Sequence, residues 1–247
     1  MALNQLGSEQ SKHVSIEKYN ALQREFAEFA YIVSHDLNAP MRHIGEFAQL
    51  LVKKTEQKVS DDEKLYVEII SSAIRNTEAM LEGMLQFSRL STRSGEMEPV
   101  NCNEILERVR QVLATLYSAD QTNYIVSELP AVYGDKGQLR QLLYHLLDNA
   151  LKFRNVNVDP EIHINVESVE GMWRFRIEDN GIGVAQGMET QMFGLFKKLH
   201  PNSSYSGVGI GLTLCKKIVE RHGGTIWYER KDGGSIFLFT LPQGSHS

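Results

Sequence analysis

A histidine followed directly by an aspartate, His35-Asp36, lies inside a regular amphipathic segment of the sequence. Neighbouring apolar residues recur at steps of three and four, which predicts a helix with His35 facing solvent. The aspartate can hold one ring nitrogen as N–H and leave the other free to attack an electrophile. Pro40 removes a backbone hydrogen bond and is expected to kink or loosen the helix. A lone histidine of this kind is, however, more often a plain surface residue.

A second candidate set begins in the stretch QLLYHLLDNALKFR. His145, Asn149 and Lys152 share one face of a predicted helix whose opposite face is apolar. An amide oxygen suits Mg²⁺, and an ammonium group suits phosphate. A polar face on an amphipathic helix can also be simply solvated.

Two glycine-rich stretches follow. The sequence EDNGIG places Asp179 at the end of a predicted strand, where glycines let the backbone approach a ligand and the carboxylate can accept from an amine. In SGVGIG, alternating glycines precede a predicted helix, so their amides and the helix amino terminus can cradle phosphate. Each pattern alone also serves turns and close packing, and no βαβ unit marks a dinucleotide site.

The elements that must position these residues divide the chain in two. Residues 17–94 are predicted to form two long helices with one apolar seam, and Ser60 with Glu63 has the spacing of a capping box for the second helix. A lone hairpin cannot bury this seam, which predicts a dimeric four-helix bundle. Ser, Gly, Glu and Pro in residues 91–99 indicate a domain boundary.

Residues 95–242 alternate between helices and strands. The sequence predicts a strand in NYIVSEL, hairpins in residues 161–179 and 225–242, and helices at 103–117, 136–153 and 208–222. Because hairpins imply antiparallel pairing, this part is predicted to be an α+β sandwich rather than a Rossmann sheet. The ends are interpreted as an N-terminal segment or cloning residues (1–16) and a tail (243–247).

Composition narrows the classes of function. The formal net charge of −5 offers no broad basic surface for nucleic acid. Cys102 and Cys215 lack the spacing of a zinc site or a disulfide framework and fit a reducing, cytoplasmic setting. No stretch approaches about 18 consecutive apolar residues, so these residues are not expected to insert into a membrane.

The stretch SHDLNAPM resembles the phosphoacceptor box of histidine kinases, whose usual form is close to SHDLRTPL. The resemblance implies that His35 is the nucleophile and that Asp36 orients and activates it. Asn38 replaces the common Arg. Ala39 replaces the Thr or Asn that positions water when such kinases dephosphorylate a response regulator, so we expect weak phosphatase activity.

The three stretches of the second part, in order, resemble the N, G1 and G2 boxes of the ATP-binding fold shared by histidine kinases, gyrase, Hsp90 and MutL, known as the GHKL or Bergerat fold. Between G1 and G2, MFGLFKKLH resembles the kinase F box, with Phe193 and Phe196 in place. The resemblance covers residues 26–242. In RQLLYHLLDNALKF and FGLFKKLH the chain is similar to bacterial kinases of the phytochrome-linked type.

This resemblance implies ATP and Mg²⁺ as ligands. It implies that Asn149 coordinates Mg²⁺, that Asp179 binds the adenine amino group and that Lys152 lies by the phosphates. A lid is expected over residues 184–206. His145, which replaces the usual Asn, is not expected to be a hydrolytic base. The further nucleotide-binding candidates are His145, Gly181, Gly183, Phe196, Gly207, Gly209 and Gly211. The other histidines are interpreted as structural or surface residues: His43, His163, His200 and His222.

The resemblance also implies a homodimer, an upstream sensor domain outside these residues, and transfer of phosphate from His35 to an aspartate of a response-regulator receiver domain. Residues 91–95 are the expected hinge between the two domains. Two alternatives stay open. An ATPase or chaperone of the same fold is disfavoured because position 145 is not Glu, whereas a degenerate kinase acting as a dimeric scaffold is compatible with His145, Asn38 and Ala39.

Overall fold

The computed structural model describes six stretches of the chain: residues 26, 29–50, 60–92, 95–117, 122–198 and 207–244. They belong to two compact units, residues 1–93 and residues 94–247. None of the helices in these stretches is long and apolar enough to cross a membrane.

The first unit contains helix α1, over residues 29–50, and helix α2, Asp61–Thr92. The two helices are antiparallel, and small side chains of α1 face larger buried ones of α2 such as Ile74 and Leu81. The buried Ser34 hydroxyl donates to the Leu81 carbonyl oxygen across the hairpin (3.3 Å). A Cβ atom added to Gly45 would lie 3.5 Å from Ile74 Cδ1, so the helices are close there too. The other buried small residues of α1 are Ala30 and Ala48.

The large apolar side chains of the hairpin lie mostly outside this seam. Phe29 and Ile44, which the spacing placed in the apolar stripe, are 58% and 51% exposed. Small residues let two helices approach closely, and the bulky residues are then left on the outer faces. Within a single chain the hairpin therefore exposes a long apolar surface, to which α2 adds Leu65, Tyr66, Ile69, Ile70 and Met80.

Helix α2 begins with a capping box, as the sequence predicts. The Glu63 carboxylate accepts from the N–H (2.8 Å) and the hydroxyl (2.9 Å) of Ser60. The Glu63 N–H donates in turn to Ser60 Oγ at 3.3 Å. The reciprocal bonds satisfy donors that the first turn of a helix otherwise leaves unpaired.

The described residues of the second unit form three helices and two sheets. The helices are α3 (Cys102–Tyr117), α4 (Lys136–Lys152) and α5 (Gly211–Arg221). The strands are β1 (Glu98–Asn101), β2 (Asn123–Val126), β3 (Ala131–Gly134), β4 (Glu161–Val169), β5 (Met172–Asp179), β6 (Ile226–Lys231) and β7 (Gly234–Pro242). Five strands form a sheet in the order β2-β4-β5-β7-β6, and β1 pairs with β3. A helical hairpin followed by an α+β unit is the fold class that the sequence predicts.

The two predicted hairpins, β4 with β5 and β6 with β7, are antiparallel as expected, whereas the pairing of β2 was not predicted. Strand β2 runs parallel to β4, because the chain between them crosses over through β3 and α4. The small antiparallel sheet of β1 and β3 was not predicted either. Its strands have four residues each, too few for an alternating apolar pattern to stand out.

Helix α5 begins at Gly211, three residues later than expected. Gly207 and Gly209 have φ angles of +119° and +76°, which a right-handed helix does not allow. The glycine-rich stretch is therefore a loop that leads into α5, as the site requires.

Helix α4 occupies the centre of the second unit and contacts both α3 and α5. Its leucines are buried, and Leu147 is fully enclosed. On the sheet, the stacked rings of Phe175 and Phe239 (centroids 4.7 Å apart) link β5 to β7 in the same core. The polar side of α4 is thus held in place by its apolar side.

We expect Leu147→Ala to lower the free energy of unfolding of the second unit by about 2–5 kcal/mol, because it removes buried methyl groups and leaves a cavity. Both tryptophans of the chain, Trp173 and Trp227, lie in this unit, so their fluorescence in urea follows its unfolding. Val112→Ala on the exposed face of α3 is the control, with an expected change within about 0.5 kcal/mol. Equal effects of the two substitutions would contradict the assignment of α4 as the core helix.

Candidate active site

His35 lies on the exposed side of α1, with 75% of its side chain accessible. Its Nδ1 is 3.0 Å from Asp36 Oδ1. Because a carboxylate only accepts, Nδ1 carries the proton, and Nε2 of the neutral ring keeps a free lone pair. The Tyr31 ring stacks near the imidazole with centroids 6.3 Å apart. The preceding residue, Ser34, is buried, and its hydrogen bond to Leu81 holds this turn of α1 against α2. The helix continues through Pro40.

The polar face of α4 presents His145, Asn149 and Lys152, as the spacing predicts. Burial lowers the pKa of Lys152, although the nearby Asp148 carboxylate opposes that shift. Burial likewise lowers the pKa of His145, whose Nε2 is enclosed without a hydrogen-bond partner. The Asp148 carboxylate is itself held by the Tyr117 hydroxyl of α3 at 2.7 Å. This face therefore holds an ammonium and an imidazole that are both only partly exposed to water.

The glycine loop before α5 lies against this polar face. A Cβ atom on Gly207 would be 2.5 Å from Lys152 Nζ, and one on Gly211 would be 3.3 Å from His145 Nδ1. The lysine ammonium and the loop backbone thus border the same space. A side chain at Gly207 would fill it.

Asp179 ends strand β5 as a buried carboxylate. Its Oδ1 accepts the N–H groups of Gly181 (2.8 Å) and Ser235 (3.2 Å). Burial raises the pKa of Asp179 to about 6, and the two backbone donors oppose that shift. The Ile182 N–H donates to the Phe153 carbonyl oxygen at 2.9 Å, which joins this turn to the end of α4.

The segment that resembles the F box is attached to the glycine loop. The Thr213 hydroxyl donates to the Gly194 carbonyl oxygen (2.9 Å), and a Cβ on Gly209 would lie 2.5 Å from the Lys197 carbonyl oxygen. Phe196 is partly exposed and has a φ of +57°, unusual for a residue with a side chain. Of the expected lid, residues 184–198 are described and residues 199–206, with His200, lie outside the described part.

Two family models match this chain in succession. The His Kinase A (phospho-acceptor) domain matches residues 27–93. The Histidine kinase-, DNA gyrase B-, and HSP90-like ATPase matches residues 134–245. The chain belongs to the histidine kinase family. The resemblance found in the sequence and the predicted fold class are both confirmed.

Relatives of this histidine kinase include phytochromes. Cyanobacterial phytochrome A of Nostoc sp. is 32% identical over 230 residues, which are 93% of this chain and 30% of that protein. The chain spans about 30% of the length of the cyanobacterial relatives that it matches.

Two solved structures share the fold. One is full-length ShkA in complex with AMPPNP, with a TM-score of 0.61, 24% identity and coverage of 87% of this chain and 45% of that chain. The other is histidine kinase ThkA in complex with response regulator protein TrrA, with a TM-score of 0.58, 21% identity and coverage of 90% and 64%.

Sequence reasoning missed the residues that support the site of this kinase from outside the motifs. Ser235 and the Phe153 carbonyl group hold the Asp179 turn, and Thr213 holds the F-box segment. The sequence signal for Ser235 was its place in the turn DGGS before the last strand. No signal in the sequence marked Thr213, because a threonine in the first turn of a helix is common.

The remaining histidines divide by environment. His222 is buried and bonded through both ring nitrogens, and His163 lies 2.7 Å from Glu161 Oε1. His43 is exposed on α1.

The donors of the site fit a nucleotide and Mg²⁺. Among the described residues, Lys152 forms no ion pair and the buried Nε2 of His145 has no hydrogen-bond partner, so a phosphate could supply a partner to each. The Asn149 side chain makes no hydrogen bond within the described residues. The same residues contain no group of three or more His, Cys, Asp or Glu that could hold a metal by itself. Mg²⁺ commonly takes most of its ligands from substrate phosphates and water, so a single amide is sufficient from the protein.

The raised pKa of Asp179 leads to a testable dependence of stability on pH. The unfolded chain ionises this carboxyl near pH 4 and the folded chain near pH 6, so its contribution to stability is lost as pH rises through that window. Relative to Asp179→Asn, the wild-type second unit should lose on the order of 2 kcal/mol of unfolding free energy between pH 4.5 and 7. Tryptophan fluorescence in urea measures both proteins. A difference that does not change with pH would show that Asp179 is not buried in this way.

Proposed function

We propose that this chain is the catalytic core of a sensor histidine kinase, which transfers the γ-phosphoryl group of ATP to its own His35 and then to an aspartate of a receiver domain. The observation that carries the proposal is the geometry of His35. The imidazole is exposed, Asp36 holds the proton on Nδ1, and Nε2 is left as a nucleophile.

In the transfer step, the Nε2 lone pair attacks the γ-phosphorus. An N–P bond forms as the bond to the bridging oxygen breaks, and ADP leaves with that electron pair. The proton on Nδ1 stays between the ring and Asp36, whose negative charge stabilises the positive charge that the imidazole gains. The residues of the second unit need only position the nucleotide and neutralise charge, since phosphoryl transfer asks little covalent chemistry of the protein.

On the second unit, the adenine amino group would donate to Asp179, with Gly181 and Gly183 beside the base. Gly183 has a φ of +72° and a backbone that approaches the Gly234 carbonyl, a place where a side chain would collide. Phe196 would border the nucleotide from the F-box segment.

The triphosphate would lie by the polar face of α4. Lys152 would contact the phosphates, and His145 would contact phosphate or Mg²⁺ indirectly. The loop glycines Gly207, Gly209 and Gly211 would supply backbone N–H groups. Asn149 would hold Mg²⁺, which when bound neutralises charge on the phosphate oxygens.

The partners follow from the same reasoning. The exposed apolar surface of the hairpin supports a homodimer, in which two copies form a four-helix bundle. A response regulator is the proposed acceptor, in line with the complex of the fold relative ThkA. The two buried free cysteines agree with a cytoplasmic setting.

We expect radiolabelled Mg-ATP to label the wild-type chain with phosphate that alkali leaves intact and acid removes, as phosphohistidine does. His35→Gln should abolish this label without loss of nucleotide binding, because the nucleotide residues lie in the other unit. His43→Gln is the matched control, since His43 is an exposed histidine two turns further along the same helix, and it should label normally.

The alternatives make different predictions in this experiment. Nucleotide binding without label in any protein would favour a signalling scaffold. Phosphate release without label would favour an ATPase. Label that persists in His35→Gln would place the acceptor elsewhere.

A second prediction concerns Ala39, which is exposed one turn after His35. Its methyl group cannot position water, so the wild-type chain should dephosphorylate a phosphorylated receiver domain slowly. Ala39→Thr adds a hydroxyl and should raise the rate about tenfold or more, with autophosphorylation retained. The loss of phosphate from an isolated phosphorylated receiver gives this rate. Fast loss with the wild-type chain would refute weak phosphatase activity.

A further inference from the structure

Asp135 connects the start of the second unit to helix α4. Its Oδ2 accepts the Gly95 N–H at 2.8 Å. Its Oδ1 accepts the N–H groups of Gly137 (2.9 Å) and Gln138 (3.1 Å), as the N-cap of α4. The residue is buried, and a Cβ on Gly95 would lie 2.7 Å from Oδ2. We call the hydrogen bond from the Gly95 N–H to Asp135 Oδ2 the latch.

The Asp135 end of the latch is held by further hydrogen bonds. The Asp135 N–H donates to Nε2 of the buried His222 at 3.1 Å, and His222 Nδ1 donates to the Ile218 carbonyl oxygen at 2.8 Å. A neutral histidine thus ties the start of α4 to the end of α5. These are the two helices that carry the polar face and the glycine loop.

The latch limits the length of the linker between the units. Helix α2 ends at Thr92, so only residues 93 and 94 lie between it and the latched Gly95. Without the latch, the next residue held by the fold is Glu98, which pairs with Gly134, and residues 93–97 would join the units. At about 3.6 Å per residue, the longest reach of the linker grows from about 11 Å to about 22 Å.

We propose that Asp135, through the latch, is a positioning residue for phosphoryl transfer to His35; this inference rests on the proposed function. A short, anchored linker raises the effective concentration of the bound nucleotide around His35. Doubling the number of linker steps lowers that concentration about threefold, and the loss of a fixed orientation lowers the rate further.

Two variants open the latch from opposite sides. Asp135→Asn keeps an oxygen for the N-cap but replaces Oδ2 with an amide NH₂, which cannot accept from Gly95. Gly95→Ala pushes the carboxylate away with its Cβ atom. Each should lower the kcat of His35 labelling about three- to tenfold at unchanged KM for ATP. The double variant should be no slower than either single one, because both remove the same contact.

The control is Asn101→Asp. Asn101 caps helix α3 through the Asn103 N–H (2.9 Å) and has no contact with the latch, and aspartate caps equally well. Labelling should not change. Hydrogen–deuterium exchange at the Gly95 amide measures the latch independently of kinase activity. This exchange should be faster in Asp135→Asn than in the wild type. Tryptophan fluorescence in urea should show Gly95→Ala fully folded without denaturant and destabilised by no more than about 2 kcal/mol, since its Cβ displaces a carboxylate that also caps α4.

The proposal is overturned by unchanged kcat in a variant whose Gly95 amide exchanges faster. It is also overturned by additive losses in the double variant, or by losses that follow KM or the unfolding midpoint. A wild-type chain that binds ATP but takes no label would refute the proposed function instead. In that case an unprotected Gly95 amide in the wild type would still disprove the latch.

Discussion

The partial burial of a positive charge on helix α4 is the constraint on which the proposed nucleotide site depends. Removing Lys152 from water disfavours its ammonium form and lowers its pKa, and the carboxylate of Asp148 compensates only in part. At Gly207 the backbone of the glycine loop comes close to the ammonium, where a Cβ atom would lie 2.5 Å from Nζ. An anion placed there regains the electrostatic energy that burial removed, so the domain is built to gain from phosphate.

Asp179 is a second charged group that burial disfavours, in this case a carboxylate. A carboxylate that burial disfavours is kept because two backbone donors, Gly181 and Ser235, direct one of its oxygens. The domain is less stable at neutral pH as a result. Binding sites commonly contain buried polar groups that lower the stability of the fold. Here the buried leucines of α4 and the stacked rings of Phe175 and Phe239 offset that loss of stability.

The sequence predicts best what local spacing determines. The periodicity of apolar residues identifies the helices, and the capping box of Ser60 and Glu63 is visible in the chain itself. The polar face of α4 follows from the same periodicity. The role of each site residue does not follow from periodicity, since it rests on the family resemblance.

Features set by tertiary structure were beyond prediction. The parallel pairing of β2, the sheet of β1 and β3 and the contact of Asp135 with Gly95 all join residues that are distant in sequence. The exposure of single residues in the hairpin lies beyond periodicity for a related reason. Periodicity shows which residues are apolar, but it does not show that Ala30 and Ser34 are buried while Phe29 faces outward.

The strand order has a consequence for biosynthesis. Strand β7, the last of the described elements in the chain, lies between β5 and β6 and brings Ser235 to Asp179. A ribosome releases the chain from its amino terminus, so the hairpin can fold early while the sheet waits for strand β7, which joins β6 to the other strands. The nucleotide pocket therefore matures only after nearly all of these residues have emerged. A product cut short before residue 234 would contain His35 but lack Ser235, and with it one of the two backbone donors that hold Asp179.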